Sequence, residues 1–562
     1  MYDEHQLAEI EQALSNWEST SLKEALEKMG EWKKEFTTSS GLTAKRLYTP
    51  LDLKAGEWNY LGQLGFPGGY PFTRGIEPVM YRSKLFRMYQ YGGYGTAKAT
   101  NEWFKYIIER GAEELGVAQD LPTQLGLDSD HPLARPEVGK VGVAIGSLAD
   151  IEAIFKDIPI ERIGVSTTSN ATGPIFLAFM LALCEKRKIS PQKLRLNIQN
   201  DILKEFIARG AYIFPPRPSM EFACDLREYC INNGLINVRP GEFCGYHMRE
   251  AGANVIQELA FTLANAVAYL ECLKSRGVDL NKCYQPVAGF TAGLDLFEEI
   301  CKLRAFRRMF SRTMKERFNV SNPDAMAVSY RCNSQASLFT AQEPMNNIVR
   351  GAITALVQAL AGVQVMSVAC FDEAHALPSP EAVKIALRTQ QIVAYETGVV
   401  NTVDPLAGSY YVEALTDELE EKAMTLFEKV QAMGGAIASI EQGFQIREIA
   451  RSALKHQQQV ESGERVMIGV NKYRGNEAVH LEVRRPDEKD VERQIERLNK
   501  LRKERDNDEV KIALNGLKEA AREGANLVLP ALATVKAYAT IGEMCDVLRD
   551  VWGEYEYRAE VL

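Results

Sequence analysis

Residues 235 to 276 read LINV, RPGEF, CGYHMREAGA and NVIQELAFTLANAVAYLECLKSR. A short β-rich run, Leu235 to Val238, passes through a polar loop into a segment of helical periodicity, Asn254 to Arg276. The alternation recurs along the chain, with β-rich runs at Val141 to Ile145, Arg162 to Val165, Arg195 to Ile198 and Gln364 to Val368 between helical patterns. Several such units within residues 76–400 predict an α/β fold, a TIM (β/α)8 barrel with reactive residues at the C-terminal ends of its strands. An open doubly wound sheet is the alternative, but no G-x-G-x-x-G turn follows a strand to support it.

The barrel is flanked by segments of different character. Residues 3–35 carry a helical pattern with a charged face, and the Gly/Pro/Tyr-rich stretch Arg46 to Gly75 reads as an extended arm, so residues 1–75 form an N-terminal arm for subunit contacts. Residues 401–562 form a helical region. Within it Val491, Ile495, Leu498 and Leu501 line one face of a segment otherwise full of Lys, Arg and Glu, a solvated helix with one packed stripe.

Composition excludes several classes. The chain has 562 residues, 46% apolar and 25% charged, which suits a large globular fold. A net charge of −9 argues against a nucleic-acid surface, since phosphate binding favours clustered Lys and Arg. The longest apolar run, Pro174 to Cys184, falls well short of the ~20 residues that span a bilayer and predicts a buried helix. Ten Cys without a C-x-x-C pair read as reduced thiols. The acidic N-terminus has neither the basic nor the apolar region of a secretion signal, and the expected location is cytoplasmic.

Few residues offer chemistry on their own. Asp128, Asp130 and His131 supply metal-ligating atoms, but no second cluster is spaced to complete a site, so no metal is expected. His247 follows the β-like run and its loop; it is either a hydrogen-bond donor at a barrel mouth or a satisfied core histidine. Arg209 lies in an apolar neighbourhood, where its guanidinium either binds a substrate carboxylate through two parallel hydrogen bonds or makes a structural salt bridge. No Ser/His/Asp triad, P-loop or HExxH helix is present.

Several stretches, in order, carry a resemblance: RLYTPLDL (46–53), GFPGGYPFTRG (65–75), LDSDHP (127–132), QNDILKEF (199–206), GYHMREAGA (245–253), ALRTQQI (386–392), VDPLAGSYYVE (403–413) and the tail AYATIGEMCDVLRDVWGEY. Through these the chain resembles the methylmalonyl-CoA mutase family, in particular large catalytic subunits of the split type whose cobalamin-binding domain is a separate polypeptide. The resemblance implies a substrate-binding TIM barrel and radical 1,2-rearrangement of a carboxylated acyl-CoA with adenosylcobalamin, the cofactor supplying the hard chemistry. His247, Tyr91 and Gln199 match catalytic positions. His247 matches the donor to the thioester carbonyl and Gln199 a contact to the same region, while Tyr91 and Arg209 match the pair that holds the free carboxylate. Gln119, Tyr246 and Lys84 join Arg209 among the substrate contacts, and Glu373 and Glu250 fall to the cofactor, Glu373 matching the grip on the adenosyl ribose. No His stands in the D-x-H-x-x-G context that supplies cobalt's lower ligand, so the implied partner is a small cobalamin-binding subunit, with a dimer of heterodimers and a chaperone GTPase as further partners, and no nucleic acid or membrane.

Departures from the family pattern cluster on the channel. The Thr-x-Arg-Gln-Tyr segment becomes Arg87-Met-Tyr-Gln-Tyr91, Pro-Arg-Leu-Ser-Phe becomes Pro286-Val-Ala-Gly-Phe290, Arg-x-His-x-Gln-Thr becomes Ser329-Tyr-Arg-Cys-Asn-Ser334, and Ser-Leu-His-Thr-Asn becomes Val365-Met-Ser-Val-Ala369. Gln119 replaces a Phe beside the reacting carbons. Three readings follow: a mutase of a substituted malonyl- or succinyl-CoA, methylmalonyl-CoA mutase proper, and a non-catalytic paralogue that binds a partner subunit.

Overall fold

The computed structural model describes residues 3–53, 58–375, 378–475 and 488–556. Nine strands form one parallel sheet: β1 Arg87–Gly92, β2 Glu114–Val117, β3 Gly164–Thr168, β4 Leu196–Gln199, β5 Val238–Pro240, β6 Phe243–Cys244, β7 Val287–Ala292, β8 Ser329–Ser334 and β9 Val365–Ser367. Their order is β5-β4-β3-β2-β1-β9-β8-β7-β6. The end strands of that order, β5 and β6, are separated only by Gly241 and Glu242. They are therefore two halves of one barrel strand, and the ring closes through this kink with eight strand positions. The lower half pairs with β4 and the upper half with β7.

Alternation along each strand divides the side chains between two environments. Met88, Leu115, Val117, Val165, Leu196, Ile198, Ala288, Phe290, Tyr330, Cys332 and Met366 enter the main hydrophobic core beneath the surrounding helices. The intervening positions line the lumen and are small or polar. The helix Gly173–Arg187 is buried along its first twelve residues, as its apolar run predicts, and Val255–Ser275 is the helix read in residues 254–276. No helix among the described residues is long and apolar enough to cross a membrane.

Two readings are corrected. Val141 to Ile145 forms no strand; Val143 makes only single bridges to Gly95 and Gln119, because the segment fills the space beside β2 where the ring is already complete. Leu235 to Val238 is mostly turn, the strand beginning at Val238. The Asp128 cluster also proves structural. Asp128 accepts from Thr540 Oγ1 (2.5 Å), Gly542 N (3.0 Å) and Arg502 (2.6 Å), and Asp130 accepts from the same guanidinium. These bonds tie the C-terminal helices, including the predicted Glu488–Glu504 helix with its buried Leu498, to the barrel. Among the described residues no group of three or more His, Cys, Asp or Glu could hold a metal.

A row of arginines on the helix Leu296–Glu316 fastens what surrounds the barrel. Arg304 is paired with Asp404 and, at 2.7 Å, with Glu413. Arg308 bonds Glu420, Asp417 (2.6 Å) and the carbonyl of Gln63, and Arg307 and Arg312 bond the carbonyls of Thr73 and Gly62. Residues 59–75, read as extended arm, are thus pinned to this chain's own barrel. Replacing Arg304 by Met leaves buried Glu413 without its counter-charge and Asp404 with Arg74 alone; a loss of about 3 to 5 kcal/mol is expected, read as a lower urea midpoint of the first unfolding transition.

Candidate active site at the C-terminal mouth of the barrel

The end of β4 runs into the richest cluster of charge. After Gln199 the chain turns through Asp201, which caps the next turn and accepts from Tyr269 Oη at 2.9 Å, into a π-helical turn at Glu205–Arg209. Such turns recur at functional sites because the extra residue re-aims a side chain. Gly210 closes it with φ +85°, where a side chain would be strained, and its N–H returns to Glu205 O at 2.8 Å.

Arg209 is three-quarters buried and half engaged. Its Nη1 donates to Gln124 Oε1 at 2.6 Å and to Glu205 Oε1 at 3.2 Å. Glu205 is itself held by Lys204 and by Ala211 N at 2.9 Å. Among the described residues no partner is recorded for Arg209 Nη2 or Nε, leaving two donors for a ligand. Tyr91, at the end of β1, is enclosed by protein yet 43% accessible, so it faces open lumen. Burial raises its phenol, the Arg209 charge opposes that shift, and its hydroxyl meets Thr168. Tyr91 and Arg209 therefore converge on one space.

His247 completes the opposite wall. Burial holds its imidazole well below the ordinary histidine range, and the nearby Lys204 and Arg209 push it further. It stays neutral at physiological pH. Cys244 Sγ lies 3.3 Å from its Nδ1. Burial drives the Cys244 thiol well up, so it keeps its proton; with that proton directed to Nδ1, the hydrogen of the ring is on Nε2. The ring thus presents a neutral N–H donor. Gln199 accepts from Lys204 Nζ at 3.2 Å and bonds Glu242 from its other end.

Gln119 forms a polar wall next to this space. Its Nε2 donates to Thr167 Oγ1 (3.0 Å) and Ser169 Oγ (2.7 Å), and Thr167 spends its own hydrogen on Val117 O. That network fixes the amide orientation and leaves Gln119 Oε1 buried without a partner. Gln124 links the backbone of Gln119 to Arg209.

The rim above carries acceptors. Glu373 is solvent-accessible yet walled by protein, and burial together with Asp372 and Glu250 pushes its carboxyl up to about 7. Gln335, just past β8, donates to Ser337 and keeps a buried, unpartnered Oε1. Glu250 is occupied, accepting from Ala336 N (2.7 Å), Ser337 N (2.9 Å) and the Tyr246 hydroxyl. Tyr246 thereby serves the rim as much as the centre. Gln335 gave no signal in the sequence.

Lys84 is at the other end of the barrel. There a cavity of about 240 Å³ is lined by Lys84, Arg87, Arg195, Arg239 and Arg331, five cations against Glu77 and Glu114. Between the two ends Arg331 spans the lumen from β8 to the diametrically placed β3. It donates to Ser166 Oγ (2.7 Å) and Glu114 Oε1 (2.8 Å), with its guanidinium 3.9 Å from the centre of the Tyr89 ring. Arg87 binds the second oxygen of Glu114 at 3.0 Å. Arg87, Tyr89 and Arg331 stand out in the sequence only as departures from the family pattern, and none of these lumen residues reads as a strand position, because a lumen lined by polar groups hides the apolar alternation.

The sequence profile of the methylmalonyl-CoA mutase family, described as "Methylmalonyl-CoA mutase", matches residues 37–554. The chain is 41% identical to the 2-hydroxyisobutanoyl-CoA mutase large subunit of Aquincola tertiaricarbonis, over 98% of this chain and 97% of that one. It is 39% identical to the methylmalonyl-CoA mutase of Rhizobium meliloti, covering 98% of this chain and 77% of that one, and 36% identical to the human mitochondrial enzyme, covering 92% and 69%. With the profile spanning most of its length and relatives of about 40% identity along nearly the whole chain, the chain belongs to the methylmalonyl-CoA mutase family of isomerases.

Proposed function

We propose that the chain is the substrate-binding subunit of an adenosylcobalamin-dependent mutase acting on a carboxylated acyl-CoA. The observation that carries this reading is the convergence of Tyr91 and the free edge of Arg209 on a space walled by the neutral N–H of His247. A carboxylate there receives two parallel guanidinium bonds, and the His247 Nε2–H is a donor for the thioester oxygen. Gln199, tied at both ends by Lys204 and Glu242, is a rigid neighbour for the same group. Enclosure excludes water from the reacting carbons.

Adenosylcobalamin, brought by a separate small subunit to this mouth, supplies the radical chemistry. The acceptors left open on the rim, Glu373 and the orphaned Gln335 Oε1, suit the hydroxyls of an adenosyl ribose. At the opposite mouth the cations Lys84, Arg87, Arg195 and Arg239 suit the phosphates of coenzyme A. A strand of about six residues rises roughly 20 Å, a distance the extended arm of coenzyme A can cover.

Gln119 favours a migrating or neighbouring group more polar than methyl, since its unpartnered carbonyl asks for a donor. Methylmalonyl-CoA itself remains the second reading, because it too satisfies Tyr91 and Arg209. The test is isomerisation by the chain with its cobalamin subunit and adenosylcobalamin, read by mass spectrometry on methylmalonyl-CoA and on hydroxylated or bulkier malonyl- and succinyl-CoA esters. Turnover within roughly 1 to 1000 per second on a substituted ester only supports the first reading, and equal turnover of methylmalonyl-CoA the second. No turnover of any carboxylated ester by an assembled complex favours the non-catalytic paralogue.

Arg209→Gln is expected to lower kcat/KM for the dicarboxylic substrate by about two orders of magnitude or more, through loss of a desolvated charge pair worth about 3 to 5 kcal/mol, while subunit binding by sedimentation is unchanged. Undiminished turnover would remove Arg209 from the carboxylate site.

Two pH dependences follow. Glu373 has its pKa raised to about 7, so its carboxylate, the form that accepts two hydroxyls, is gained as pH rises; affinity for the adenosyl cofactor, read by absorbance titration of the complex, should strengthen from pH 6 to pH 8. His247 is already neutral there, so kcat should show no ionisation near the ordinary histidine value that disappears in His247→Gln.

A further inference from the structure

Arg209 keeps a free edge although a carboxylate stands beside it, and the cause lies in the residue before that carboxylate. Lys204 and Glu205 are both fully buried, and Lys204 Nζ is paired with Glu205 Oε1. The other acceptor recorded for Nζ is Gln199 Oε1 at 3.2 Å. Glu205 Oε2 accepts from Ala211 N at 2.9 Å, and its Oε1 meets Arg209 Nη1 at 3.2 Å, longer than the 2.6 Å bond from the same nitrogen to Gln124. Among the described residues Lys204 and Arg209 are the two cations paired with Glu205. A buried carboxylate keeps its charge only with a counter-charge at hand. Without Lys204 that counter-charge is Arg209, whose planar fork suits two parallel bonds to one carboxylate. The backbone holds the lysine in place: Asp201 Oδ1 accepts from Lys204 N at 3.3 Å, and Asp201 Oδ2 accepts from Cys244 N of β6 at 2.8 Å.

We propose that Lys204 is a positioning residue for the free carboxylate of the substrate: by neutralising Glu205 it keeps that internal carboxylate off the outer edge of Arg209 and leaves Nε and Nη2 to the ligand. Two carboxylates compete for one guanidinium, and the lysine decides the competition by satisfying the internal one. It acts through Glu205 and Arg209 and needs no contact with the ligand. The effect is confined to ligands that carry the carboxylate, since an ester of the same length ending in methyl is indifferent to the state of the fork. The bond from Lys204 to Gln199 serves the thioester end, so its loss weakens both kinds of ester alike. This role rests on Arg209 being the carboxylate site of the proposed function.

The full-length chain and its Lys204→Met and Lys204→Met/Glu205→Gln variants are titrated calorimetrically with succinyl-CoA and with butyryl-CoA, in which a methyl group replaces the free carboxylate. The wild-type chain is expected to prefer succinyl-CoA. In Lys204→Met that preference is expected to fall about tenfold or more, and in the double variant, where the neutral amide no longer claims the fork, to return to within about threefold of wild type. A merely structural role for Lys204 predicts no such return. If Lys204→Met does not fold by circular dichroism, Lys204→Gln, which keeps a hydrogen bond to Glu205 without the charge, takes its place in both variants. An unchanged preference in the single variant, or a loss that the double variant does not restore, would overturn the inference and leave Arg209 as the carboxylate site. Failure of the wild-type chain to prefer succinyl-CoA would overturn both.

Discussion

A charge inside a strand barrel has no water to fall back on, and Arg331 sets the terms for everything along this axis. Its guanidinium reaches the diametric wall, and two separate partners, Glu114 and Ser166, are needed to hold it there. Glu114 in turn requires Arg87, and the Tyr89 ring that packs on the guanidinium occupies the space where Gly116 has no side chain, since a Cβ there would fall 2.3 Å from Tyr89 Oη. Four strands are thereby committed to one interaction. Breaking such a pair by removing one member costs about 3 to 5 kcal/mol, so a ligand in the lumen must replace its bonds rather than merely displace them.

The same logic produces the half-free arginine at the upper mouth. Lys204 and Glu205 are both fully buried, and each is held by the other and by a polar neighbour, Gln199 for the lysine and Ala211 N for the carboxylate. Glu205 thus arrives at Arg209 already neutralised and takes only Nη1. Had Glu205 been unpaired, it would have taken the whole fork. The free edge of Arg209 therefore depends on Lys204, the residue that precedes Glu205 in the chain. Burial lowers His247, and the charges of Lys204 and Arg209 lower it further, which keeps its ring neutral.

The barrel was legible where its outward faces are apolar: the runs ending at Val165, Ile198 and Val368 point to β3, β4 and β9, and the helices at residues 173–187 and 255–275 follow from continuous or periodic apolar character. It was illegible where the lumen is charged. β2 is four residues, and β8 reads Ser-Tyr-Arg-Cys-Asn-Ser, whose inward Ser329, Arg331 and Asn333 look like loop. Val141 to Ile145 shows the converse, an apolar run with strand composition that finds no free edge in a closed ring. At the site, Tyr91, Arg209 and His247 come from three strand ends, and only the resemblance joined them. Neither composition nor spacing in the chain pointed to Gln335, Arg331 or Glu242 as partners, because their meaning lies in a hydrogen bond left unmade or made across the lumen.

Gln119 brings these strands of argument to the substrate. An aromatic side chain at that position would need only apolar contact, whereas an amide buried to 1% must have each end answered. One end is answered by two hydroxyls, and Thr167 directs its own hydrogen to Val117 O, so Thr167 has none to give the amide oxygen. The bare oxygen is held in place by the fold. Gln124 ties this wall to Arg209, so under the proposed function a group seated on Gln119 and a carboxylate seated on Arg209 would be measured against each other by one link. A methyl group beside Gln119 would leave the oxygen unsatisfied in the complex, at a cost of about 1 to 3 kcal/mol, while a hydroxyl would satisfy it. That difference, a factor of about five to 150 in preference, lies within what one buried polar contact achieves and is the physical basis for expecting a substituted rather than a plain malonyl or succinyl ester.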